Sequence, residues 1–296
     1  MDFTIVHSTT YTYAQAVTLG PHLLRLRPRS TEEQQVRGFH LQISPEPVGL
    51  THKLDAEGNN VARCWWSETP LATLEVTATS QVVTTCTNPF QFLLEPWATH
   101  FPIDYPNSLK TILYPYLNSD LDAVATQLAQ ELAIAVDSNI IDFLTQLNLR
   151  INQTCQYQAR ERGHPQPPWL TWQQKQGTCR DFVWLFMAAC RGMGLATRFV
   201  SGYEAGDPSQ AQTLHAWAEV YLPGAGWRGY DPTMGLVVCD RHVAAVASAW
   251  PQQTQPILGS LRGGISSPIP THTVSVHSSA TRHPLAEKRS TAIHNH

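Results

Sequence analysis

Charge is scarce in this sequence: 15% of its 296 residues are Asp, Glu, Lys or Arg, and 20 basic against 23 acidic side chains leave a formal charge of -3. So balanced a chain lacks the basic patch or stripe that binds phosphate backbones, which excludes nucleic acid as a partner. The 13 histidines do not supply one, because they are scattered and mostly neutral at pH 7. Long apolar runs are missing as well. No stretch reaches the roughly 18 residues of a membrane helix, and the opening residues MDFTIVHSTTYTY carry no basic patch followed by an apolar core. The expectation is a protein with no membrane partner and a cytoplasmic location.

Cysteine is the third scarcity. Six (Cys64, Cys86, Cys155, Cys179, Cys190, Cys239) are too few for a disulfide scaffold, and none stands in a CxxC pair. Zinc spacing is therefore absent, and neither a metal nor a cofactor is expected. In a reducing compartment five of the six read as small buried apolar residues. Cys179 stands apart because of its neighbours. What the chain has in quantity is apolar side chains, at 42%, enough for one large or two medium packed units.

The first hundred residues carry strand signals: alternation through Phe39, Leu41 and Ile43, a turn at Gly58-Asn59-Asn60, and alternation through Leu74, Val76 and Ala78 into Val82-Val83. Residues 1–105 are expected to form an antiparallel β-domain, closing in the Pro-containing stretch at 88–106. A helical period then takes over, with Leu121, Val124, Leu128 and Leu132 on one face and Ser119 or Asp120 available as N-cap. A second helix is predicted over residues 139–152. Residues 160–172 hold Pro165, Pro167 and Pro168 and read as an irregular loop leading to Gly177-Thr178-Cys179. Beyond it, Phe182, Val183, Phe186, Ala189 and Cys190 fit a buried helix stopping at Gly192 or Gly194, followed by strands over 197–203, 216–222 and 227–230. That order makes residues 106–279 an α+β unit. Thr271, Thr273, Val274 and Val276 suggest a closing strand, and residues 280–296 a disordered tail.

A cysteine where a Gly-containing loop enters an apolar helix lies near unpaired backbone N–H groups and the positive end of the helix dipole. Both favour thiolate, the reactive nucleophile, over thiol. Taken alone, Cys179 reads equally as reactive or as packing. The later blocks Leu214-His215-Ala216-Trp217 and Gly229-Tyr230-Asp231-Pro232 change the balance. His215 starts one strand and Asp231 ends the next, so a hairpin turning at 223–226 brings both to one edge of the sheet. Asp231 can then accept from one imidazole nitrogen while the other faces the sulfur.

Four ordered blocks, Gly177-Thr178-Cys179-Arg180-Asp181-Phe182, Thr197-Arg198-Phe199-Val200-Ser201-Gly202-Tyr203, His215-Ala216-Trp217-Ala218-Glu219-Val220 and Gly229-Tyr230-Asp231-Pro232-Thr233, resemble the bacterial transglutaminase-like enzymes. The resemblance reaches the N-terminus through His7, Thr10, Tyr11, Tyr13, Leu24-Arg25-Leu26-Arg27-Pro28, Asp55 and Gly58-Asn59, covering residues 3–278. It implies a papain-like catalytic domain after an N-terminal β-domain, with Cys179 as nucleophile, His215 as general base and acid, and Asp231 as orienting residue. It further implies a cysteine peptidase, amidase or acyltransferase working through a thioester on a peptide or protein amide, with no metal or cofactor. Hydrolysis is the expected outcome; protein-glutamine transamidation and a non-catalytic binding module are the alternatives. Asp181 is expected to brace the Cys helix, Trp217 and Trp227 to act as packing walls, and Gln173 to be one candidate oxyanion donor. The family's Gly-Arg-Asp-Tyr-like stretch is replaced here by residues 243–250 after His242. The sequence does not assign an oligomeric state.

Overall fold

Residues Asp2–Leu24 form one long strand, β1, in which Phe3, Ile5, His7 and Thr9 alternate inward. The computed structural model describes residues 1–117, 122–160, 163–206, 212–262 and 269–280. From Asp2 to Thr12 β1 lies between β5 (Leu71–Thr84) and β14 (Ile269–Ser279). Past a register break between Thr12 and Val17 it changes neighbours to β4 (Asn60–Trp65) and β13 (Ile257–Arg262). The strands β2 (Gln34–Ser44) and β3 (Gly49–Leu54) close the edges, in the order β2-β5-β1-β4-β3 with β13 and β14 also on β1. Side chains from the middle and C-terminal end of β1, including Tyr13, Leu19 and Leu24, enclose a core with Cys64, Trp66, Leu74 and Val76. The expected antiparallel β-domain is present, and its sheet also takes in β13 and β14 from the end of the chain.

Among the described residues, the remainder of the chain holds five α-helices, α1 (Asn107–Leu117), α2 (Ala123–Ala135), α3 (Ile140–Thr154), α4 (Pro168–Gln174) and α5 (Cys179–Gly192). They lie beside an antiparallel sheet of β8 (Thr197–Glu204), β9 (His215–Leu222), β10 (Gly226–Asp231), β11 (Leu236–Val237) and β12 (His242–Ser248), in the order β11-β10-β9-β8-β12. Two short strands, β6 (Gln156–Tyr157) and β7 (Gln176–Gly177), pair in parallel just before the Cys helix. The apolar period of α5 buries Phe182, Val183, Phe186 and Ala189 against Leu128, Phe143, Leu147, Ala218 and Tyr230. Each large side chain there contributes about 1.5–3 kcal/mol by leaving water. Asn139 caps α3 by accepting from Asp142 N, and Asp122 caps α2 by accepting from Ala125 N. The caps expected at Ser119 or Asp120, and the tail beyond residue 280, lie outside the described residues.

Residues 160–172 are not irregular throughout, because α4 begins at Pro168. Proline is at home there: its fixed φ suits the first helical turn and its missing N–H would have no partner.

The two sheets meet through Phe3, Ile5 and Val82 on one side and Tyr203, Val243 and Val246 on the other. His7 Nδ1 lies 2.9 Å from the Tyr203 hydroxyl in this buried seam. The outer edge of β12 would present unpaired backbone groups to water, and side-chain amides from the first sheet satisfy them. Gln34 donates to Ala244 O at 2.9 Å and accepts from Ala244 N at 2.7 Å. Asn59 treats Ala247 in the same way at 2.8 and 2.9 Å, and Asp55 accepts from the Asn59 amide at 3.0 Å. The N-terminal Asp55, Gly58 and Asn59 thus form a turn that docks on the far edge of the second sheet.

The reading of five cysteines as free buried residues is corrected at two positions. Cys86 and Cys239 form a disulfide with Cα atoms 5.3 Å apart, tying the end of the N-terminal sheet to the loop before β12. The partners are 153 residues apart, so no local pattern could pair them. A crosslink closing so long a loop restricts the unfolded chain strongly. The Cys86→Ala/Cys239→Ala double variant should lose about 2–5 kcal/mol in denaturant unfolding under oxidising conditions. The same variant should show no such gap from the wild-type chain once both are reduced.

Candidate active site

Cys179 is the first residue of α5, and the turn that presents it is organised around a buried carboxylate. Asp181, fully buried, accepts from Thr178 N at 2.7 Å, Thr178 Oγ1 at 2.9 Å, Gln166 N at 2.7 Å and Arg160 Nη2 at 2.8 Å. Burial alone would raise this carboxyl; the four donors outweigh it and hold it below its ordinary value. Gly177 is required beside it, because a Cβ there would sit 2.8 Å from the Asp181 Cβ. Asp181 therefore braces the start of the Cys helix, as the sequence suggested.

The hairpin of β9 and β10 delivers the other two groups. Its register sets Tyr230 opposite Ala218, which leaves His215 and Asp231 as diagonal neighbours on one face. His215 Nε2 lies 2.6 Å from Asp231 Oδ2. Asp231 engages Nε2, which leaves Nδ1 as the nitrogen available to Cys179, the other group that favours a charge on His215 and a lining residue of the same cavity. Burial opposes a charge on His215, but the hydrogen bond to Asp231 and the nearby Cys179 sulfur outweigh it and raise its pKa to about 10. Asp231 is fully buried. Burial would raise its carboxyl, and the bonds from His215 and His242 drive it well below the usual carboxylate range. The structure thus brings together all three residues singled out in the sequence.

It also adds one the sequence reading used only as a landmark. His242, at the start of β12, places Nε2 3.1 Å from the same Asp231 Oδ2. Trp217 links the strands: its ring lies edge-on to His242 with centroids 5.2 Å apart. A Cβ on Gly202 would come within 2.6 Å of that ring, so glycine there leaves the indole its space. The donor atoms of His215, Asp231 and His242 lie within 4.8 Å of one another, a set of metal-binding type. Hydrogen bonds from both imidazoles to the carboxylate already account for their arrangement.

Cys179 and His215 open into a cavity of roughly 170 Å³ walled by Phe199, Ser201, Leu214, Thr254 and Pro256. Arg180 supplies a guanidinium to this lining, and among the described residues no carboxylate joins it. Two larger cavities lie on the N-terminal sheet, and neither touches Cys179 or His215. Trp217 is fully buried, a packing wall as expected, and Trp227 packs under the Arg198 guanidinium at 4.2 Å. Arg198 pairs with Glu219 and Tyr203 with His7, both away from the cavity. Gln173 is exposed on α4 and is not among the cavity's lining residues, so the oxyanion role considered for it has no geometric support. Of the cavity walls, Phe199 and Ser201 were read in the sequence only as part of the Thr197–Tyr203 block, and residues 251–256 were not singled out.

Residues 3–83 match the bacterial transglutaminase-like N-terminal region, and residues 126–232 match the transglutaminase-like superfamily core. The chain belongs to the bacterial transglutaminase-like proteins. Among relatives of this transglutaminase-like protein is an uncharacterized protein of Mycobacterium tuberculosis, 28% identical over 258 residues and 81% of each chain. Another, from Mycobacterium leprae, is 25% identical over 271 residues, 88% of this chain and 92% of the other. The fold matches that of a candidate cysteine protease from Cytophaga hutchinsonii, with a TM-score of 0.72 over 96% of this chain and 92% of that one, at 19% identity. The transglutaminase-like α+β fold with its N-terminal β-domain is therefore the architecture of this protein.

Proposed function

We propose that the protein is a cysteine-dependent amide hydrolase acting through a thioester on Cys179. The observation that carries this reading is the position of His215, hydrogen-bonded to the buried Asp231 at 2.6 Å and sharing the lining of one cavity with Cys179. The Cys179 thiolate attacks the amide carbonyl carbon, and the displaced electron pair rests on the carbonyl oxygen as an oxyanion. Backbone N–H groups at the start of α5, Cys179 N among them, are the donors at hand for it. His215 Nδ1–H passes its proton to the leaving nitrogen as the C–N bond breaks, leaving an acyl thioester and a free amine. Water then attacks the thioester carbonyl while Nδ1 takes its proton, and the C–S bond breaks to return thiolate, imidazolium and a carboxylic acid. Asp231 stays ionised throughout and holds the imidazole in the plane that both proton transfers need.

Water, at about 55 M, is displaced as acceptor only by an amine held in a dry channel of high effective concentration. Among the described residues no tryptophan lines the Cys179 cavity, and Gln252 and Gln255 join its lining, which favours hydrolysis. A cavity with Arg180 and no carboxylate suits a neutral or acidic group beside the scissile amide better than a cationic one.

Selective alkylation tests the assignment of the nucleophile. Iodoacetamide at pH 6 should label Cys179 before any other cysteine, because Cys64, Cys155 and Cys190 are buried and burial drives their thiols upward, the first two to about 11. Equal labelling of several cysteines in the native protein would end the assignment. Where an acyl donor is turned over with millimolar primary amine present, free acid should predominate over the amide.

A further inference from the structure

We infer that His242 is a positioning residue of this site, a second N–H donor that fixes the Asp231 carboxylate in the orientation His215 requires. The inference rests on the triad reading above and extends it to a strand outside the hairpin that carries His215 and Asp231. Asp231 offers four acceptor positions, and four donors occupy them. Thr233 N and Met234 N bond Oδ1 at 2.9 and 3.1 Å, while His215 Nε2 and His242 Nε2 bond Oδ2 at 2.6 and 3.1 Å. The two backbone donors belong to the turn after β10 and tether one oxygen. Without His242 the other oxygen would be held only by the imidazole it is meant to orient. An ionised carboxylate has no hydrogen to give, so Nε2 of His242 must carry one. Its Nδ1 is buried and has no hydrogen-bond partner. The side chain, 1% exposed, thus spends its hydrogen-bonding capacity on Asp231 and cannot reach substrate.

The surroundings hold this ring in place. Trp217 packs edge-on against it, Cys239 three residues earlier is bonded to Cys86, and Gln34 and Asn59 fasten the outer edge of β12 two and five residues later. Through His242, the docking of the N-terminal sheet on β12 sets the position of the catalytic carboxylate. This gives the N-terminal region a part in the chemistry although none of its residues lines the Cys179 cavity.

The test uses the full-length protein and iodoacetamide as probe, reading the second-order rate of Cys179 alkylation at pH 6. The side-chain amide nitrogen of glutamine can stand where Nε2 stands; that of asparagine is too short. His242→Ala should slow alkylation by about tenfold or more, the scale of a lost hydrogen bond to a buried charge. His242→Gln should stay within about threefold of the wild-type rate, and His242→Asn should be slowed like the alanine variant. If His242→Ala fails to fold, the glutamine and asparagine variants carry the comparison, with thermal melting to show that both are native. Wild-type rates in folded His242→Ala or His242→Asn protein would overturn the proposal, as would a glutamine variant as slow as asparagine. His215→Ala separates the two levels: alkylation sensitive to His215 but indifferent to His242 removes only this inference, whereas indifference to His215 removes the triad with it.

Discussion

Cys179→Ala and His215→Ala proteins should each lose amide turnover by a factor on the order of 10⁴–10⁶, because the nucleophile and its proton carrier act as one unit. Cys179 is only half-buried at the first position of α5, and the brace beneath it, Asp181 with its four donors, does not involve the sulfur. The alanine variant should therefore melt as the wild type does. His215→Ala leaves Asp231 with Thr233 N, Met234 N and His242 as donors, so the buried carboxylate keeps its charge satisfied and the fold persists. Activity against a panel of peptide amides, normalised to the folded fraction from circular dichroism, measures both. Non-additivity is part of the expectation: the double variant should be no worse than either single one.

Asp231→Asn should retain a measurable residue of activity, reduced by about 10²–10⁴-fold, because orientation is lost while the proton carrier remains. Its second signature is in pH dependence. Beside Asp231 and Cys179, His215 holds its proton up to about 10, so the imidazolium that protonates the leaving amine is present through neutral pH and is lost as pH rises through that value. Replacing the carboxylate by a neutral amide removes the charge that favours the imidazolium, and burial, which opposes that charge, then gains weight. The imidazolium should give up its proton nearer the ordinary value of about 6.5. The alkaline limb of the turnover profile therefore moves to lower pH in Asp231→Asn, and an unmoved limb would count against Asp231 as the charge partner. The same sign governs stability: the contribution of His215 is fully present below about 6.5 and fades as pH climbs toward 10.

Much of this site was legible because its parts carry local signals. The period of Phe182, Val183, Phe186 and Ala189 specifies a buried helix whatever surrounds it, and the Gly-Thr-Cys entry marks its start. The hairpin could be read from the turn at residues 223–226, and its register alone sets His215 and Asp231 on one face. What escaped depends on contacts between distant segments. The Cys86–Cys239 bond, the return of β13 and β14 to β1, and the reach of His242 to Asp231 are tertiary facts without a sequence period. α4 was missed for a different reason. Three prolines within residues 165–168 read as loop, although Pro168 opens a helix at the one position where proline favours it. The cavity wall at Pro251, Thr254 and Pro256 forms only because the segment after β12 folds back over the Cys helix, which no residue within it announces.

The central claim is a covalent acyl intermediate on Cys179, and one measurement meets it directly. The protein is mixed with a panel of peptide and small-molecule acyl donors, quenched in acid within one turnover, and examined by intact and peptide-level mass spectrometry. An acyl mass is expected on the peptide containing Cys179 and none in the Cys179→Ala protein. An adduct on any other residue, or turnover that continues undiminished in Cys179→Ala protein, would contradict it.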